Sequence, residues 1–247
     1  MDCITILPGR DKHGQPEPFS AIDLYRGHLY TIVGNTGSGK SRLIKDIEQL
    51  AQGDSVTGRT ILLDGAPVSR ACRQTMSGQL VAHLGQNMRF VLDTTVEEFL
   101  LLHGQCRDRQ VDPGEILKLV NTITPEPVAL EQSLNQLSGG QSRALMIGDI
   151  ALICDSPIVL IDEIENAGID KEKALGLLRH QEKLVLVVTH DPHTALLSRQ
   201  RIVLGGGAVK AVVDRSPAEA ELYRTLEKEY RRQRHYQALL RKGALLA

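Results

Sequence analysis

Short apolar runs alternate along this chain with longer segments in which apolar residues recur every three or four positions. Two runs, residues 158–161 and 184–188, are apolar at every position, which is typical of central parallel strands covered by helices on both faces. The segment at about 93–150 differs because it carries three helical patterns and no convincing strand. The pattern therefore predicts an α/β fold, with a mainly parallel sheet, a helical insert at about 93–150 and a small β layer near the N-terminus.

The remaining elements follow from the same periodicities. Strands are predicted at 29–33, 59–63, 81–84, 158–161, 184–188, 201–204 and 208–213. Helices are predicted at 40–51, 94–102, 113–121, 138–154 and 217–242, with a short one after Asp191. The glycine triplet at 205–207 indicates a tight hairpin, because no helix follows it directly. On this division residues 1–216 form one domain and residues 217–247 a C-terminal helix.

Composition narrows the class of protein. With 247 residues, 42% hydrophobic and 24% charged, the chain suits one large α/β domain with a buried core. A net charge of −1 gives no electrostatic reason to expect nucleic acid as the main ligand. The longest apolar runs have five residues, far short of the about 20 that a membrane-spanning helix needs. Four scattered cysteines without a C-x-x-C pair, and no signal peptide, favour the cytoplasm; a peripheral position on the inner membrane face stays open.

A glycine-rich segment follows the strand predicted at 29–33 and opens a helix. It matches the pattern G-x-x-x-x-G-K-[ST] and reads Gly34, Asn35, Thr36, Gly37, Ser38, Gly39, Lys40, Ser41. Its glycines let backbone N–H groups converge on phosphate, and the helix N-terminus adds positive potential. Lys40 is predicted to reach the β- and γ-phosphate oxygens, and the Ser41 hydroxyl to bind Mg²⁺. The segment therefore predicts a nucleoside triphosphate site.

Two carboxylates follow the strand predicted at 158–161. Asp162 is expected to hold Mg²⁺ directly or through water, and Glu163 to polarise the water that attacks the γ-phosphate. An acidic strand end by itself is often only a solvated loop. The glycine-rich segment upstream favours the catalytic interpretation.

A third motif, Leu137-Ser138-Gly139-Gly140-Gln141, begins a helix about twenty residues before the acidic strand. With the other two motifs it makes the chain resemble the ATP-binding cassette (ABC) ATPases over about residues 20–205. The resemblance implies that Ser138, Gly139, Gly140 and Gln141 contact the γ-phosphate of ATP bound to a second subunit. The alternative is a plain helix N-cap at Ser138.

The resemblance also assigns roles to three further residues. It implies that Gln86 links Mg²⁺ and the attacking water to a loop that senses the partner. It implies that His190 contacts the γ-phosphate, and that Asp170 crosses the interface between two subunits. A lone glutamine or histidine is more often structural, so these assignments depend on their order and spacing.

The chain departs from the family pattern in two places. Compared with the family pattern, the loop at 164–170 is one residue longer, and Gly168 is expected to absorb the extra residue by adopting a positive φ. No Tyr, Trp or Phe lies within residues 1–15 to stack on adenine. His13 is the nearby ring that could replace it, although a solvated loop histidine is the favoured interpretation.

The sequence leaves two interpretations open for the process that ATP hydrolysis drives. The resemblance implies that two chains sandwich two Mg-ATP molecules, with a second copy or a homologous subunit as partner. Residues 95–99 resemble importer-type members, which favours a membrane transporter with a separate permease. The alternative is a soluble ABC ATPase that remodels a protein assembly, as in cofactor maturation, or that acts in DNA maintenance. A catalytically inactive binding module is disfavoured because every hydrolytic position is filled.

Two further segments point to interfaces. Two of the three phenylalanines, Phe90 and Phe99, fall within residues 86–103, near the apolar residues Met88, Val91 and Leu92. We predict that the partner docks there; the alternative is that Phe90 packs between the sheet and the insert. The C-terminal helix is basic toward its end, which indicates either a solvated face or an anionic partner.

Overall fold

The computed structural model describes residues 1–86, 88–243 and 245, without the side chains at 75–77 and 166–167. The strands in this part of the chain are β1 Cys3–Leu7, β2 Ile22–Tyr25, β3 Leu29–Val33, β4 Thr60–Leu63, β5 Ala66–Pro67, β6 Val81–Leu84, β7 Ile158–Asp162, β8 Leu184–Val188, β9 Gln200–Gly205 and β10 Ala208–Asp214. The α-helices are α1 Lys40–Glu48, α2 Arg70–Leu80, α3 Val96–Cys106, α4 Pro113–Ile123, α5 Gly139–Leu152, α6 Lys171–His180, α7 Pro192–Leu197 and α8 Pro217–Arg241.

The central sheet has six strands in the order β10-β9-β3-β8-β7-β6. Every pairing in it is parallel except that of β10 with β9. All five residues of β8 are buried, as an all-apolar strand requires when helices cover both faces of a sheet. The predicted parallel sheet is confirmed. Its carboxyl edge carries the ends of β3, β7 and β8, where the sequence placed its chemical motifs.

A second, four-stranded antiparallel sheet runs in the order β2-β1-β4-β5. Its buried residues, such as Ile4 and Ile61, join α1 residues such as Leu43 and one face of the central sheet in a single apolar core. The predicted N-terminal β layer is confirmed. Helix α1 is thereby held between the two sheets.

The segment between β6 and β7 is helical, as predicted. It contains α3, α4 and α5, which form a second apolar core against the opposite face of the central sheet, with Val96, Leu145 and Val187 among its buried members. Helix α2, which precedes β6, was not predicted. No helix in the described ranges combines the length and apolarity needed to span a membrane.

A buried ionic cluster holds α1 in place. Arg59, with a fully buried side chain, donates to Glu17 at 2.8 and 2.6 Å and to Asp46 of α1 at 2.9 Å. The Gly9 and Val209 amides also donate to Glu17. Burial acts to raise the pKa of Glu17, but these hydrogen bonds outweigh it and hold that pKa below its usual value.

The hairpin between β9 and β10 packs directly on the glycine-rich loop. Gly206 and Gly207 have φ values of 61° and 87°, which confirms the predicted tight turn. The Gly207 amide donates to the Ser38 carbonyl at 3.0 Å. A Cβ on Gly39 would lie 3.0 Å from the Gly207 Cα, so the two segments leave no room for a side chain between them.

Candidate functional site

The loop between β3 and α1 has the conformation that its glycines permit. Gly37 and Gly39 adopt φ values of 78° and 105°, in the region that favours glycine. A Cβ on Gly34 would lie 2.5 Å from the Leu204 carbonyl oxygen. The loop therefore curls tightly against β9 and delivers the chain into α1, where Gly39 is the N-cap and supplies no side chain to the first helical amides.

Lys40 folds back over this loop. Its Nζ donates to the carbonyl oxygens of Gly34 at 2.7 Å and Asn35 at 3.1 Å. Ser38 is buried, and its Oγ has no hydrogen-bond partner among the described residues. Uncapped helical amides, a lysine ammonium and an orphaned hydroxyl around one backbone cradle form a site that suits a phosphate chain.

The loop opens into a cavity of about 620 Å³. The three predicted Mg²⁺ ligands, Ser41, Asp162 and Gln86, all line it. Its other lining residues are Thr36, Gly37, Ser38, Gly39, Lys40, Arg42, Ile44, Lys45, Glu48, His83, Glu163 and Val188. Hard oxygen donors beside a phosphate cradle are the donor set that Mg²⁺ prefers, so the residues fit the metal.

Asp162 ends β7 at the edge of this cavity. Burial raises the pKa of its carboxyl, and the neighbouring Glu163 raises it further, while His83, Arg143 and Lys40 act in the opposite direction. A divalent cation at this position would favour the ionised carboxylate.

Glu163 stands between the predicted glutamine and histidine. Gln86 donates from Nε2 to Glu163 Oε2 at 2.6 Å, and His190 Nδ1 lies 3.5 Å from Glu163 Oε1. Glu163 has a φ of 50°, an uncommon conformation for a residue with a Cβ that is often associated with functional sites. Three residues from the ends of β6, β7 and β8 thus meet at one carboxylate.

Sequence reasoning missed Arg143, which connects these strand ends to α5. Its guanidinium is almost fully buried and donates to the carbonyls of Gly85 at 3.3 Å, Gln86 at 3.2 Å and Asp162 at 2.5 Å. The sequence shows only that Arg143 lies within the first two turns of a predicted helix. No local pattern indicates its contact with Gln86, which is 57 residues away.

The loop after Glu163 forms a 3₁₀ turn, Ile164–Ala167, and leaves it through Gly168 at a φ of 67°. The positive φ expected at Gly168 is confirmed. Asp170 then caps α6 by accepting from the Lys173 amide at 3.2 Å. Asp170 is buried and also pairs with Arg234 of α8 at 2.5 Å, so in the single chain its carboxylate is engaged within its own subunit.

The signature segment lies elsewhere. Ser138 is the N-cap of α5, in a capping box in which the Gln141 amide donates to Ser138 Oγ at 3.3 Å and the Ser138 amide to Gln141 Oε1 at 2.9 Å. Ser138 and Gly140 line a separate cavity of about 140 Å³, beside Gly168. The cavity at the signature and the cavity at the glycine-rich loop share no lining residue.

Two other predicted residues have mixed outcomes. His13 is exposed, and it does not line the glycine-rich-loop cavity. Phe90 is partly buried and packs on the insert core, with its ring 4.9 Å from that of Phe99. Its neighbours Val91 and Met88 are 93% and 49% exposed. Phe90 thus joins sheet and insert while its neighbours form the exposed surface; Asn87 lies outside the described residues.

A six-stranded, mainly parallel sheet with a glycine-rich loop between β3 and α1 defines a P-loop nucleoside triphosphatase. The family model described as ABC transporter matches residues 20–166, and the chain belongs to this family. It is an ATP-binding protein and an ABC-type ATPase.

Individual relatives agree with this assignment. An ABC transporter ATP-binding protein of Methanocaldococcus jannaschii is 48% identical over 225 residues, covering 90% of this chain and 86% of the relative. The structure of cbiO1 from Clostridium perfringens, described as part of the ABC transporter complex cbiONQ, has a TM-score of 0.65 at 20% identity, covering 96% of this chain and 100% of that one. An ATP-binding cassette described as dimeric, in a post-hydrolysis state with ADP and Pi, has a TM-score of 0.63 at 24% identity, covering 85% and 98%. The two structures support the fold.

Proposed function

We propose that this chain is the ATP-hydrolysing subunit of a transporter, and that two copies close around two Mg-ATP molecules. The observation that carries the proposal is the separation of the P-loop cavity from the signature cavity within one chain. The α5 N-terminus offers amides and a hydroxyl suited to phosphate, but its own P-loop lies in another cavity. A second copy would supply that phosphate, so each composite site takes its P-loop from one chain and its signature from the other.

Within a composite site, the P-loop amides from Gly34 to Ser41 bind the β- and γ-phosphates, and Lys40 moves from its carbonyl partners to the phosphate oxygens. Ser41, Asp162 and Gln86 would hold Mg²⁺, which would supply positive charge against the charge that develops on the phosphates. Ser138, Gly139, Gly140 and Gln141 of the partner subunit complete the phosphate contacts. Asp170 belongs to the loop that passes between the copies.

Glu163 is the general base in this proposal. Its carboxylate accepts the proton of the attacking water, and its contacts with Gln86 and His190 fix the direction in which it points. His190 also stabilises charge on the γ-phosphate, and Gln86 reports the state of the site to the segment that follows it. Glu163, Gln86 and His190 follow three different strands, so small movements of those strands change the position of the base.

The proposed partner is a separate integral membrane permease, and it docks on the exposed apolar residues after Gln86. Met88, Val91 and Leu92 are all more than two-fifths exposed, and contiguous exposed apolar groups are typical of interfaces. Phe90 anchors this segment to the insert core, so motion at Gln86 is transmitted to the surface. The cbiO1 protein is described as part of a complex that includes further components, in keeping with this arrangement. On this proposal the chain acts in the cytoplasm, at the inner face of the membrane.

Mixing two inactive variants tests the composite site. Lys40→Ala removes P-loop function and Ser138→Arg blocks the signature, so a mixed dimer keeps one intact site. We expect each variant alone to be inactive in an ATPase assay and the mixture to recover up to about half of the activity per active pair. If mixed dimers form, as shown by differently tagged chains, and activity stays at the level of the single variants, the sandwich is wrong.

A second experiment tests docking. Val91→Asp is expected to abolish binding to the purified permease partner, with ATP affinity and melting temperature unchanged. Leu222→Asp is the matched control, since Leu222 is an apolar residue that is also exposed, at 49%, on α8. Equal binding by both variants would remove the docking surface from residues 86–103.

A further inference from the structure

Helix α8 lies beyond residues 20–166, where the family model matches. It begins at Ser216 with a capping box and runs for 25 residues. Its less exposed side chains recur at helical spacing, with Tyr223, Leu226, Tyr230 and Arg234 on one face. This face fixes how α8 lies on the domain.

Two aromatic residues hold the first part of α8. The His193 ring stacks on those of Tyr223, at 5.3 Å between centroids, and Tyr230, at 4.8 Å. The Lys171 ammonium lies 4.3 Å from the centre of the Tyr230 ring. Helix α8 is therefore packed on the start of α6 and on α7.

An ion pair directs the next part of α8 toward the loop after the acidic strand. Arg234 contacts Asp170 at 2.5 Å, and the Asp170 side chain is only 8% exposed. Burial alone would lower the pKa of Arg234, but the hydrogen bond and the charge of Asp170 raise it above its usual value. The pair places this part of α8 beside Gly168, next to the signature segment.

Arg241 lies seven residues after Arg234, about two helical turns and 10 Å further along the same face. It lines the cavity of about 140 Å³ that contains Ser138 and Gly140. Among the carboxylates in the described ranges, none forms an ion pair with Arg241 within 4.0 Å. A guanidinium therefore faces the signature without a carboxylate partner in that part of the chain.

The charge of the signature cavity makes this cation significant. Glu126 also lines it, and its carboxylate accepts from Ser138 Oγ at 3.2 Å. A carboxylate beside the α5 N-terminus repels an incoming phosphate. Arg241 places an opposing charge in the same cavity, and a guanidinium is well suited to phosphate oxygens.

We propose that Arg241 contacts the γ-phosphate of the ATP held by a second copy of this chain, together with Ser138 and the Gly140 amide. The inference rests on the proposed function, because the phosphate enters this cavity only when two copies pair. Helix α8 is then a third component of the composite site. Arg234 acts through Asp170 as the positioning residue that delivers it.

The test uses full-length chains carrying Glu163→Gln, so that ATP binding is measured without turnover. ATP-driven dimerisation is followed by analytical ultracentrifugation over a range of MgATP concentrations. Adding Arg241→Gln is expected to raise the ATP concentration at half-maximal dimerisation by about fivefold at low salt, with the difference shrinking at high salt. Arg241→Lys should recover most of the loss, and binding of a fluorescent ATP analogue to the monomer should not change.

Arg232→Gln is the matched control, because Arg232 is an exposed arginine two residues from Arg234 and therefore on the opposite face of α8. A midpoint for Arg241→Gln equal to that of the control overturns the inference. So does tighter dimerisation, which would mean that α8 obstructs the pairing surface. If the parent Glu163→Gln chain stays monomeric with ATP, the sandwich itself is wrong, and the role of Arg241 falls with it.

Discussion

Two helix N-termini in this chain offer amides to phosphate, and they are built differently. Helix α1 begins at Gly39, with no side-chain cap and a φ of 105°. Helix α5 begins at Ser138 in a complete capping box with ordinary backbone angles. The first opens into about 620 Å³ lined by Asp162, Glu163, Gln86 and Lys40, among others. The second opens into about 140 Å³ that contains neither Asp162 nor Glu163.

This difference determines what each helix N-terminus can do within a single chain. At α1 the phosphate donors, the proposed metal ligands and the proposed base share one cavity, so this terminus is expected to bind a nucleotide and to place a water. At α5 the cap is already satisfied by its own side chains, and what remains is a rigid set of donors. On the proposed function, the α5 terminus contributes to hydrolysis by meeting a phosphate that another chain holds.

The largest expected effect comes from the base at the α1 site. Glu163→Gln keeps the shape and the contact with Gln86 but cannot accept a proton, so turnover should fall by about 10²- to 10⁴-fold. ATP binding should persist, and the variant should accumulate as an ATP-bound dimer on size-exclusion chromatography. Near-normal turnover would remove Glu163 from the role of base.

The second prediction concerns the buried ionic cluster that supports α1, in which Arg59 pairs with Glu17 and Asp46. Arg59→Met leaves Glu17 and Asp46 as buried carboxylates without their partner, which should cost about 3–5 kcal/mol of unfolding free energy. Urea unfolding measures the loss. The exposed ion pair of Lys118 and Glu115 gives the control, because solvent screens it and Lys118→Met should cost far less than Arg59→Met.

The packing of α8 on α7 is expected to depend on pH through His193. Burial, with a contribution from Lys171, lowers the pKa of His193 from 6.5 to about 4, so His193 is neutral at pH 7 and its 3.5 Å contact with Glu172 is not a salt bridge there. Between these values the unfolded chain binds more protons than the folded one. Stability from this group is therefore complete above about pH 6.5 and falls as pH decreases toward 4, by up to about 3 kcal/mol.

His193→Phe checks this assignment, since the new ring keeps the stacking with Tyr223 and Tyr230 but does not titrate. The loss in urea midpoint between pH 7.5 and 4.5 should be smaller in this variant than in the parent. An identical loss in both would mean that His193 is not the group responsible.

A matched pair of glycine substitutions gives the smallest effects and separates the two termini most directly. Gly39→Ala forces a Cβ into a positive φ and against Gly207, and strain of about 1–3 kcal/mol should weaken nucleotide binding to the monomer at least tenfold. Gly139 has no atom within 4 Å of its added Cβ and no positive φ. Gly139→Ala should leave monomer binding unchanged, as isothermal titration calorimetry can show. Equal losses of nucleotide affinity in the two variants would contradict the proposal that only the α1 terminus binds nucleotide in the monomer.

Most of the fold was predictable because its strands are locally distinctive. The strand at 81–84 and that at 184–188 have the predicted bounds, and α8 ends one residue before its prediction. Helix α2 was missed because its sequence, Arg-Ala-Cys-Arg-Gln-Thr-Met-Ser-Gly-Gln-Leu, carries only a weak apolar stripe and an interior glycine. Its helical structure depends on context that no short window contains.

The candidate site divides in the same way. Three parts of it are contiguous motifs: the glycine-rich loop, the acidic strand end and the signature. The backbone conformation that each of them needs can be inferred from its sequence. The contact of Arg143 with Gln86 and that of Arg234 with Asp170 join residues 57 and 64 positions apart. Such contacts follow from the packing of whole helices, which periodicity does not specify.

The hairpin at Gly206–Gly207 has a consequence for how the molecule is made. Strand β3 is synthesised early, but its two neighbours in the sheet, β8 and β9, emerge from the ribosome about 150 and about 170 residues later. The amide that hydrogen-bonds to the Ser38 carbonyl belongs to Gly207, which is synthesised later still. A nascent chain that already contains the glycine-rich loop, the signature and the acidic strand end therefore still lacks β8, β9 and the hairpin that packs on the glycine-rich loop. Nucleotide capture becomes a late event in biogenesis, so that ATP would stabilise the finished domain rather than guide its early folding.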